Sequence, residues 1–94
     1  MLVSVVFSFW NEELVLEELI SRVVNSLEGT DYNYELVFVN DNSTDRSLEI
    51  LNTERVKNNR LKIINMSRRF GVSPCVMAGL RFARGDVVIY MDAD

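Results

Sequence analysis

The sequence contains no histidine, one cysteine and one proline among its 94 residues. The absence of histidine excludes a histidine metal ligand and a histidine general base. Cys75 has no partner for an internal disulfide, which favours a reducing compartment. The four glycines form neither a G-x-G-x-x-G nor a G-x-x-x-x-G-K phosphate loop, so the sequence argues against a dinucleotide dehydrogenase and a P-loop enzyme.

The sequence also lacks a basic leader and a membrane-spanning segment. Its apolar stretch at residues 2–10 is too short to cross a bilayer. The composition, with 48% hydrophobic and 26% charged residues, is ordinary for a soluble globular protein. A chain of this length forms one small domain of marginal stability.

Charge is distributed unevenly along the chain, although the net charge is only −4. Residues 1–54 hold eleven acids and two bases, residues 55–84 hold eight bases and no acid, and residues 85–94 hold three acids. Two interpretations stay open: solvated faces with local ion pairs, or a basic surface that faces an anionic substrate or lipid headgroups. Nucleic acid is not expected as a partner, because the chain is acidic overall and does not interleave aromatic with basic residues.

Four apolar segments alternate with three segments of helical periodicity, which predicts the order β-α-β-α-β-α-β. The predicted strands are residues 2–9, 35–39, 61–66 and 87–91. The uninterrupted apolar run at residues 87–91 predicts a buried strand. Strands that alternate with helices indicate a parallel sheet with right-handed crossovers, so we expect a three-layer α/β/α fold.

The predicted helices begin and end at recognisable residues. Asn11 is a good N-cap for the first helix, and Gly29 lies where that helix would end. Ser43 or Thr44 would cap the second helix, and the third begins near Ser73, which precedes the single proline. The residues expected to face the sheet are Leu16, Leu19, Ile20, Val23 and Leu27 in the first helix, Leu48, Leu51 and Val56 in the second, and Val76, Leu80 and Ala83 in the third.

Polar loops are expected to meet at one edge of this sheet. In open α/β sheets ligands bind in the crevice beyond the carboxyl ends of the strands, and residues 8–13, 40–45 and 92–94 follow three such ends. Asp92 and Asp94 come directly after the last strand. Such an Asp-x-Asp can hold a hard divalent cation, which often bridges to substrate phosphates.

Each of these loops also has an ordinary structural explanation. Trp10 can be a packing residue, and Glu12 and Glu13 can be acids that favour the start of a helix. Residues 40–45 can form a capped turn, and Arg68 and Arg69 can be surface charges. The order of the motifs along the chain is more specific than any one of them.

Three segments together carry a family resemblance. They are Ser8-Phe9-Trp10-Asn11-Glu12-Glu13, Asn40-Asp41-Asn42-Ser43-Thr44-Asp45 and Asp92-Ala93-Asp94. With their flanking strands they resemble the V-P-x-Y-N-E-E motif, the D-D-G-S-T-D turn and the Asp-x-Asp of family 2 glycosyltransferases. Residues 65–94 are similar to the branch that loads sugars onto polyprenyl phosphates, which includes dolichol-phosphate mannose synthases and bactoprenol glucosyltransferases. The resemblance covers essentially the whole chain.

The resemblance implies a GT-A fold, a Rossmann-like and mostly parallel α/β/α sheet. Residues 1–94 would be its N-terminal, nucleotide-sugar-binding half, truncated at the Asp-x-Asp motif. The resemblance implies that Ser8, Trp10 and Glu12 line the nucleotide pocket and that Asp41 hydrogen-bonds the base. Asp92 would lie near the ribose and the metal ion, with Ala93 beside it in the nucleotide site. Asp94 would coordinate Mg²⁺ or Mn²⁺. Asp92 and Asp94 are therefore the expected catalytic residues.

Four residues depart from the pattern of that family. Ser8 replaces a proline and Trp10 a tyrosine, and both changes would alter the depth of the pocket. Asn40 replaces an acid, which is expected to be tolerated if Asp41 is the acid that binds. Asn42 replaces a glycine, and asparagine is the next best residue for a left-handed turn.

The activity that the resemblance implies is inverting, metal-dependent transfer of a sugar from a nucleoside-diphosphate sugar to an acceptor, with a bactoprenyl or dolichyl phosphate as the expected acceptor. The full-length protein would work at the cytoplasmic face of a membrane, with its anchor outside this chain. The chain itself would be soluble, cytoplasmic and inactive alone. Its last strand would have an open edge that favours self-association.

Three alternatives stay open. They are a non-catalytic module that binds nucleotide sugars, a family 2 transferase that acts on a polysaccharide, and a response-regulator-like α/β domain, which also clusters acids around Mg²⁺ at strand ends. The third is disfavoured, because its acids typically follow strands one and three, whereas strand one here ends in Trp10-Asn11.

Overall fold

Four strands alternate with three helices in the computed structural model, which describes residues 1–93. The elements are β1 Leu2–Phe9, α1 Leu16–Glu28, β2 Asn33–Asn40, α2 Ser47–Lys57, β3 Leu61–Asn65, α3 Val72–Phe82 and β4 Val87–Asp92. This order confirms the predicted β-α-β-α-β-α-β succession. Among these elements no helix has the length and apolar character that crossing a bilayer requires.

The strands form one parallel sheet in the order β3-β2-β1-β4. The chain adds β2 and β3 on one side of β1 and then crosses over to place β4 on the other side. The strand order therefore reverses between β1 and β4, and open α/β sheets bind ligands in the crevice beyond such a switch point. Ser8 is aligned with Val39 of β2 and with Asp92 of β4, so it lies at this switch point.

Helices cover both faces of the sheet, which confirms the three-layer prediction. The helices α1 and α2 pack on one face, where the rings of Phe7 and Phe38 stack with their centroids 4.7 Å apart. Helix α3 packs on the other face, against Val6 and Val37. Because β1 and β2 are covered on both faces, nearly all of their residues are buried, and their sequences are almost continuous apolar runs.

Helix α3 approaches the sheet closely at Gly79. A Cβ atom at this position would overlap Val6 Cγ1 and would lie 3.1 Å from Val39 Cγ2. This close approach sets the rotation of the helix, so that Cys75 and Gly79 are buried while Leu80 is 42% exposed. The prediction that Leu80 faces the sheet was therefore wrong.

Helix α2 also differs from the prediction in the face that it buries. It begins at Ser47 and buries Ser47 and Leu51. Val56, which was expected to face the sheet with Leu51, is 87% exposed. Val56 follows Leu51 by five residues, and each residue of a helix turns the chain by about 100° around the axis. Val56 therefore lies on the far side of the helix from Leu51.

Strand β4 is an edge strand and not the buried strand that its sequence predicts. Among residues 1–93 it pairs with β1 alone. Its apolar side chains are 39–44% exposed at Val87, Val88, Ile89 and Met91, because α3 packs against β1 and β2 and leaves β4 at the margin of the sheet. The expected open edge is present within the described part of the chain.

Candidate functional site

A cleft of about 340 Å³ opens at the carboxyl edge of the sheet, between the ends of β1 and β4 and the start of α3. The residues that line it are Ser8, Phe9, Trp10, Glu12, Asp41, Arg69, Gly71, Val72, Cys75 and Asp92. The structure thus brings together five of the predicted site residues, namely Ser8, Trp10, Glu12, Asp41 and Asp92.

Two predicted site residues are not placed in this lining. Ala93 is buried in the core on the opposite face of the sheet, beneath α1 and α2, because successive residues of a strand point to opposite faces. Asp94 lies outside the described residues. Of the Asp-x-Asp motif, Asp92 is therefore the residue that the structure places in the cleft.

Asn11 fastens the β1–α1 loop to the β2–α2 loop. Its backbone is left-handed, with φ of 52°, and its Oδ1 accepts hydrogen bonds from the amides of Thr44 at 2.7 Å and Asp45 at 3.2 Å. Its Nδ2 donates to Thr44 Oγ1 at 3.1 Å. The prediction that Asn11 caps α1 was wrong, because its side chain is engaged by the second loop and α1 begins only at Leu16, without a side-chain cap.

The backbone of the first loop also donates hydrogen bonds to side chains of the second loop and of the first residue of α2. The bonds run from Asn11 N to Ser43 Oγ at 3.0 Å, from Glu12 N to Ser47 Oγ at 3.0 Å and from Glu13 N to Asp45 Oδ2 at 3.2 Å. The prediction that Ser43 or Thr44 caps α2 was therefore wrong, and Asp45 Oδ1 accepts a hydrogen bond from the Ser47 amide at 2.9 Å instead. The two loops form one hydrogen-bonded unit at the cleft.

Asp41 ties the β3–α3 loop to this unit. Its buried carboxylate accepts one hydrogen bond on each oxygen, from Phe70 N at 2.7 Å and from Gly71 N at 2.9 Å. Burial, and then the contact with Asp41, raise the pKa of the Cys75 thiol to about 12, so the thiol stays protonated at neutral pH. Asp41 is thus held in the cleft wall, and its carboxylate retains acceptor capacity beyond these contacts.

The two asparagines that flank Asp41 have structural roles. Asn40 is buried, its Oδ1 accepts a hydrogen bond from Ser43 N at 2.9 Å, and its Nδ2 donates to Asn65 Oδ1 at 3.0 Å. A carboxylate at position 40 could not donate the hydrogen bond to Asn65 Oδ1. This explains why an amide side chain suits the position. Asn42 has φ of 60°, which confirms the predicted left-handed turn.

Arg69 covers one face of the Trp10 ring. Its guanidinium carbon lies 3.9 Å from the ring centroid in a cation–π contact, and Arg68 makes the same contact with Phe70 at 4.3 Å. Sequence reasoning weighed both arginines as surface charges or as contacts to a phosphate, and it did not predict the contact of Arg69 with Trp10. The signal that points to Arg69 is its position after β3, at the edge of the sheet where the other site loops begin.

The other six bases of residues 55–84 lie away from the cleft. They are Arg55 and Lys57 at the end of α2, Arg60 and Lys62 at the start of β3, and Arg81 and Arg84 at the end of α3. Because helices in such sheets run antiparallel to the strands, these positions lie at the amino edge, opposite the cleft. Lys57 and Arg60 are 3.4 Å and 3.7 Å from carboxylates of Glu54 and Glu28. Local ion pairing therefore accounts for part of this basic segment.

Tyr90 joins Ser8 to Asp92 across the switch point. Its hydroxyl donates to Asp92 Oδ1 at 2.7 Å and lies 2.6 Å from Ser8 Oγ. Burial, and then the neighbouring Asp92 carboxylate, raise the pKa of Tyr90, although the hydrogen bond with Ser8 opposes this rise. Sequence reasoning missed Tyr90 because residues 87–91 were taken as core. The signal was the two-residue period of a strand, which places Tyr90 and Asp92 on the same face.

The donor set of the cleft suits a cation that arrives with a phosphorylated ligand. Among residues 1–93 no group of three or more histidine, cysteine, aspartate or glutamate side chains is arranged to hold a metal by itself. Mg²⁺ is usually held by one or two carboxylates together with substrate phosphates. Asp92 is an exposed carboxylate in the cleft and fits that requirement.

Known proteins resemble this chain along its whole length. The family model described as glycosyl transferase family 2 matches residues 4–94. Dolichol-phosphate mannosyltransferase of Pyrococcus furiosus is 43% identical over 94 residues, which are 100% of this chain and 26% of that protein. Undecaprenyl-phosphate 4-deoxy-4-formamido-L-arabinose transferase of Aeromonas hydrophila is 38% identical over 94 residues, which are 99% of this chain and 29% of that protein. The chain thus spans less than a third of the length of these relatives.

Solved structures agree with the fold. Mannosyltransferase PcManGT from Pyrobaculum calidifontis, in complex with GDP-Man and Mn²⁺, superposes with a TM-score of 0.85 at 26% identity, over 98% of this chain and 27% of that one. S. aureus TarS 1–349 in complex with UDP superposes with a TM-score of 0.81 at 33% identity, over 100% of this chain and 28% of that one. This agreement confirms the predicted α/β class.

Proposed function

The chain belongs to glycosyl transferase family 2 and has the GT-A fold, and from this premise we propose that its cleft binds the nucleoside diphosphate of a sugar donor. In the whole protein this site would serve transfer of the sugar to a polyprenyl phosphate. One observation carries the proposal: Ser8, Trp10, Asp41 and Asp92 converge from the carboxyl ends of β1, β2 and β4 on a single cleft of about 340 Å³ at the switch point of the sheet.

The base of the donor would lie between Trp10 and Asp41. An aromatic ring offers a face on which a base stacks. The Asp41 oxygens accept hydrogen bonds from Phe70 and Gly71 and retain lone pairs for an N–H group of the base. Uracil and guanine both present such a group, and UDP and GDP-Man are the ligands named for the two solved structures.

The diphosphate would lie near Arg69 and the start of α3. The amino terminus of a helix favours anions, and the first residues of α3 border the cleft. Arg69 adds a positive charge to a lining whose other charged residues are acids. Mg²⁺ or Mn²⁺, held by Asp92 and Asp94, would supply the positive charge that stabilises the diphosphate as a leaving group.

The acceptor is proposed to be a polyprenyl phosphate, in keeping with the names of two relatives. A phosphate monoester is an anion at neutral pH, so one of its oxygens attacks the anomeric carbon without a protein base. The bond between that carbon and the diphosphate oxygen breaks as the new bond forms, and attack from the opposite side inverts the anomeric configuration. The absence of histidine is compatible with this chemistry.

The rest of a full-length protein would supply the acceptor site. The chain spans 26–29% of the length of the relatives described above, so we expect the 94 residues alone to bind a donor without transferring its sugar. Attachment to the cytoplasmic face of a membrane would likewise come from other segments. Alone, the chain is proposed to self-associate through the open edge of β4.

Fluorescence of Trp10 tests donor binding, because it is the single tryptophan of the chain and lines the cleft. Titration with UDP and with GDP, with and without Mg²⁺, is expected to give saturable changes with a Kd on the order of 0.1–1 mM for at least one nucleotide. Inorganic diphosphate and a free nucleoside are the controls. No saturable response to either nucleotide would contradict the proposal, and a response to Mg²⁺ together with no response to either nucleotide would favour a response-regulator-like domain.

A further inference from the structure

The Tyr90 hydroxyl stands between a residue of the central strand β1 and a carboxylate of the edge strand β4. We propose that Tyr90 is a positioning residue, which holds the Asp92 carboxylate for the divalent cation that accompanies the donor, and that Ser8 supports Tyr90 in this role. The inference rests on the proposed function, because it concerns the same cleft.

The donor and the acceptor in each of these two hydrogen bonds follow from the chemistry of Ser8, Tyr90 and Asp92. An ionised carboxylate only accepts hydrogen bonds, so the single Tyr90 proton goes to Asp92 Oδ1, at 2.7 Å. The 2.6 Å contact between Ser8 Oγ and the Tyr90 oxygen must then use the Ser8 proton. The result is a directed chain of hydrogen bonds from Ser8 through Tyr90 to Asp92, and a bond to a charged acceptor is stronger than a neutral one.

The two supporting residues are held more firmly than the carboxylate that they orient. Ser8 lies in β1, which is hydrogen-bonded to a strand on each side, and is buried. The Tyr90 ring packs against the core beneath α3, beside Val6 and Cys75. Asp92, by contrast, is exposed at the end of an edge strand. Without the Tyr90 hydroxyl, its carboxylate would sample several rotamers and would present its oxygens to a cation less often.

Ser8 supplies the hydroxyl that supports Tyr90. The motif that residues 3–13 resemble has a proline where Ser8 stands, and proline has no hydroxyl to donate to Tyr90. Partners that hydrogen-bond a metal-binding side chain usually fix its orientation, and their loss lowers metal affinity by about 10–100-fold. Tyr90 and Ser8 are expected to act near the lower end of that range, because Asp92 is exposed.

The test compares Tyr90→Phe with Tyr32→Phe, which removes the same hydroxyl from an exposed tyrosine outside the cleft. For each variant, calorimetry gives the Kd of UDP or GDP with and without Mn²⁺. The Kd without Mn²⁺ divided by the Kd with Mn²⁺ is the cation-dependent gain in nucleotide affinity. Tyr90→Phe is expected to lower this gain about tenfold, whereas Tyr32→Phe leaves it unchanged. A merely structural role would change both Kd values together and leave their ratio constant, and a wild-type ratio in Tyr90→Phe overturns the proposal.

Ser8→Ala provides the second arm. It should lower the cation-dependent gain by about threefold alone and cause no further loss in a Tyr90→Phe background, because its effect passes through the Tyr90 hydroxyl. Independent, additive losses would overturn the supporting role of Ser8.

Titration with Mn²⁺ alone, followed by the electron paramagnetic resonance signal of free Mn²⁺, separates failure of this proposal from failure of the proposed function. A wild-type chain that binds Mn²⁺ but neither nucleotide overturns the proposed function. If Tyr90→Phe binds Mn²⁺ as well as the wild type does when saturating UDP or GDP is present, the positioning role is overturned. A wild-type chain that binds neither Mn²⁺ nor nucleotide overturns both.

Discussion

Asn11 Oδ1 accepts a hydrogen bond from the backbone amide of Thr44 at 2.7 Å, a contact between residues 33 positions apart that joins two loops of the cleft. Asn11→Gly keeps the left-handed backbone available and removes the side-chain bonds. We expect it to lower the free energy of unfolding by about 1–2 kcal/mol and to weaken UDP or GDP binding, as measured by urea denaturation and by titration.

Asn42→Gly is the matched control for this change. Asn42 has φ of 60° and an exposed side chain, so its replacement should alter the free energy of unfolding by less than about 0.5 kcal/mol. Equal stability of the Asn11 and Asn42 variants would show that the loop contacts of Asn11 contribute nothing.

Gly79→Ala tests the close approach of α3 to the sheet. The added methyl group would overlap Val6 Cγ1, so we expect a loss of about 1–3 kcal/mol in the free energy of unfolding. Gly29→Ala is the control, because its new Cβ would lie 3.6 Å from its nearest neighbour, the Ser26 carbonyl oxygen. Chemical denaturation of both variants gives the comparison, and similar stabilities would argue against tight packing at Gly79.

The raised pKa of Cys75 predicts a loss of stability at alkaline pH. The thiol ionises near its ordinary value of 9.0 in the unfolded chain and near 12 in the folded chain, so the folded state retains a proton that the unfolded state loses. The contribution of the Cys75 proton to the free energy of unfolding is fully present below pH 9. Above pH 9 it falls by at most about 1.4 kcal/mol per pH unit. Urea denaturation at pH 8 and pH 10 is expected to show a smaller decrease for Cys75→Ala than for the wild type. An identical decrease in both would refute the assignment to Cys75.

Arg69→Ala tests the contact of the guanidinium with Trp10 and its contribution to donor binding. Removal of the charge 3.9 Å above the ring should shift the Trp10 emission and weaken UDP or GDP binding about three- to tenfold. Arg81→Ala removes an equal charge from the far end of α3 and should change neither the emission nor the Kd. If the two variants behave alike, net charge and not the position of Arg69 accounts for the effect.

The open edge of β4 predicts self-association of the isolated chain. Ile89 is 44% exposed on a strand whose outer hydrogen-bonding groups have no partner strand among residues 1–93, and such edges pair readily with another chain. Ile89→Lys is expected to shift the sedimentation profile toward monomer, whereas Val56→Lys, on the exposed side of α2, leaves it unchanged. A wild-type chain that sediments as a monomer at high concentration would argue against edge pairing.

Local apolar periodicity was sufficient to predict the order of the elements and the edge of the sheet at which the cleft opens. The first strand was predicted with the bounds that it has and the second within two residues, because both of their faces are buried and a strand of that kind has an apolar side chain at nearly every position. Burial was predicted less well where it depends on distant neighbours. The same apolar signal at residues 87–91 belongs to an exposed edge strand, and Leu80 lies outside the core because the rotation of its helix depends on packing. Val56 lies outside the core because helical spacing places it on the far side of α2 from Leu51.

The sequence by itself determined the parallel α/β order and brought Ser8, Trp10, Asp41 and Asp92 to one edge, because all strands of a parallel sheet end on the same side. Tertiary structure alone decided which side chains bind one another there. Asn11 binds the second loop instead of capping a helix, and Tyr90 bridges Ser8 and Asp92 because strand register aligns them. The contacts of Asn11 with the second loop and of Ser8 with Tyr90 join segments that are far apart in the chain, and the spacing of residues along the sequence does not give the distance between such segments.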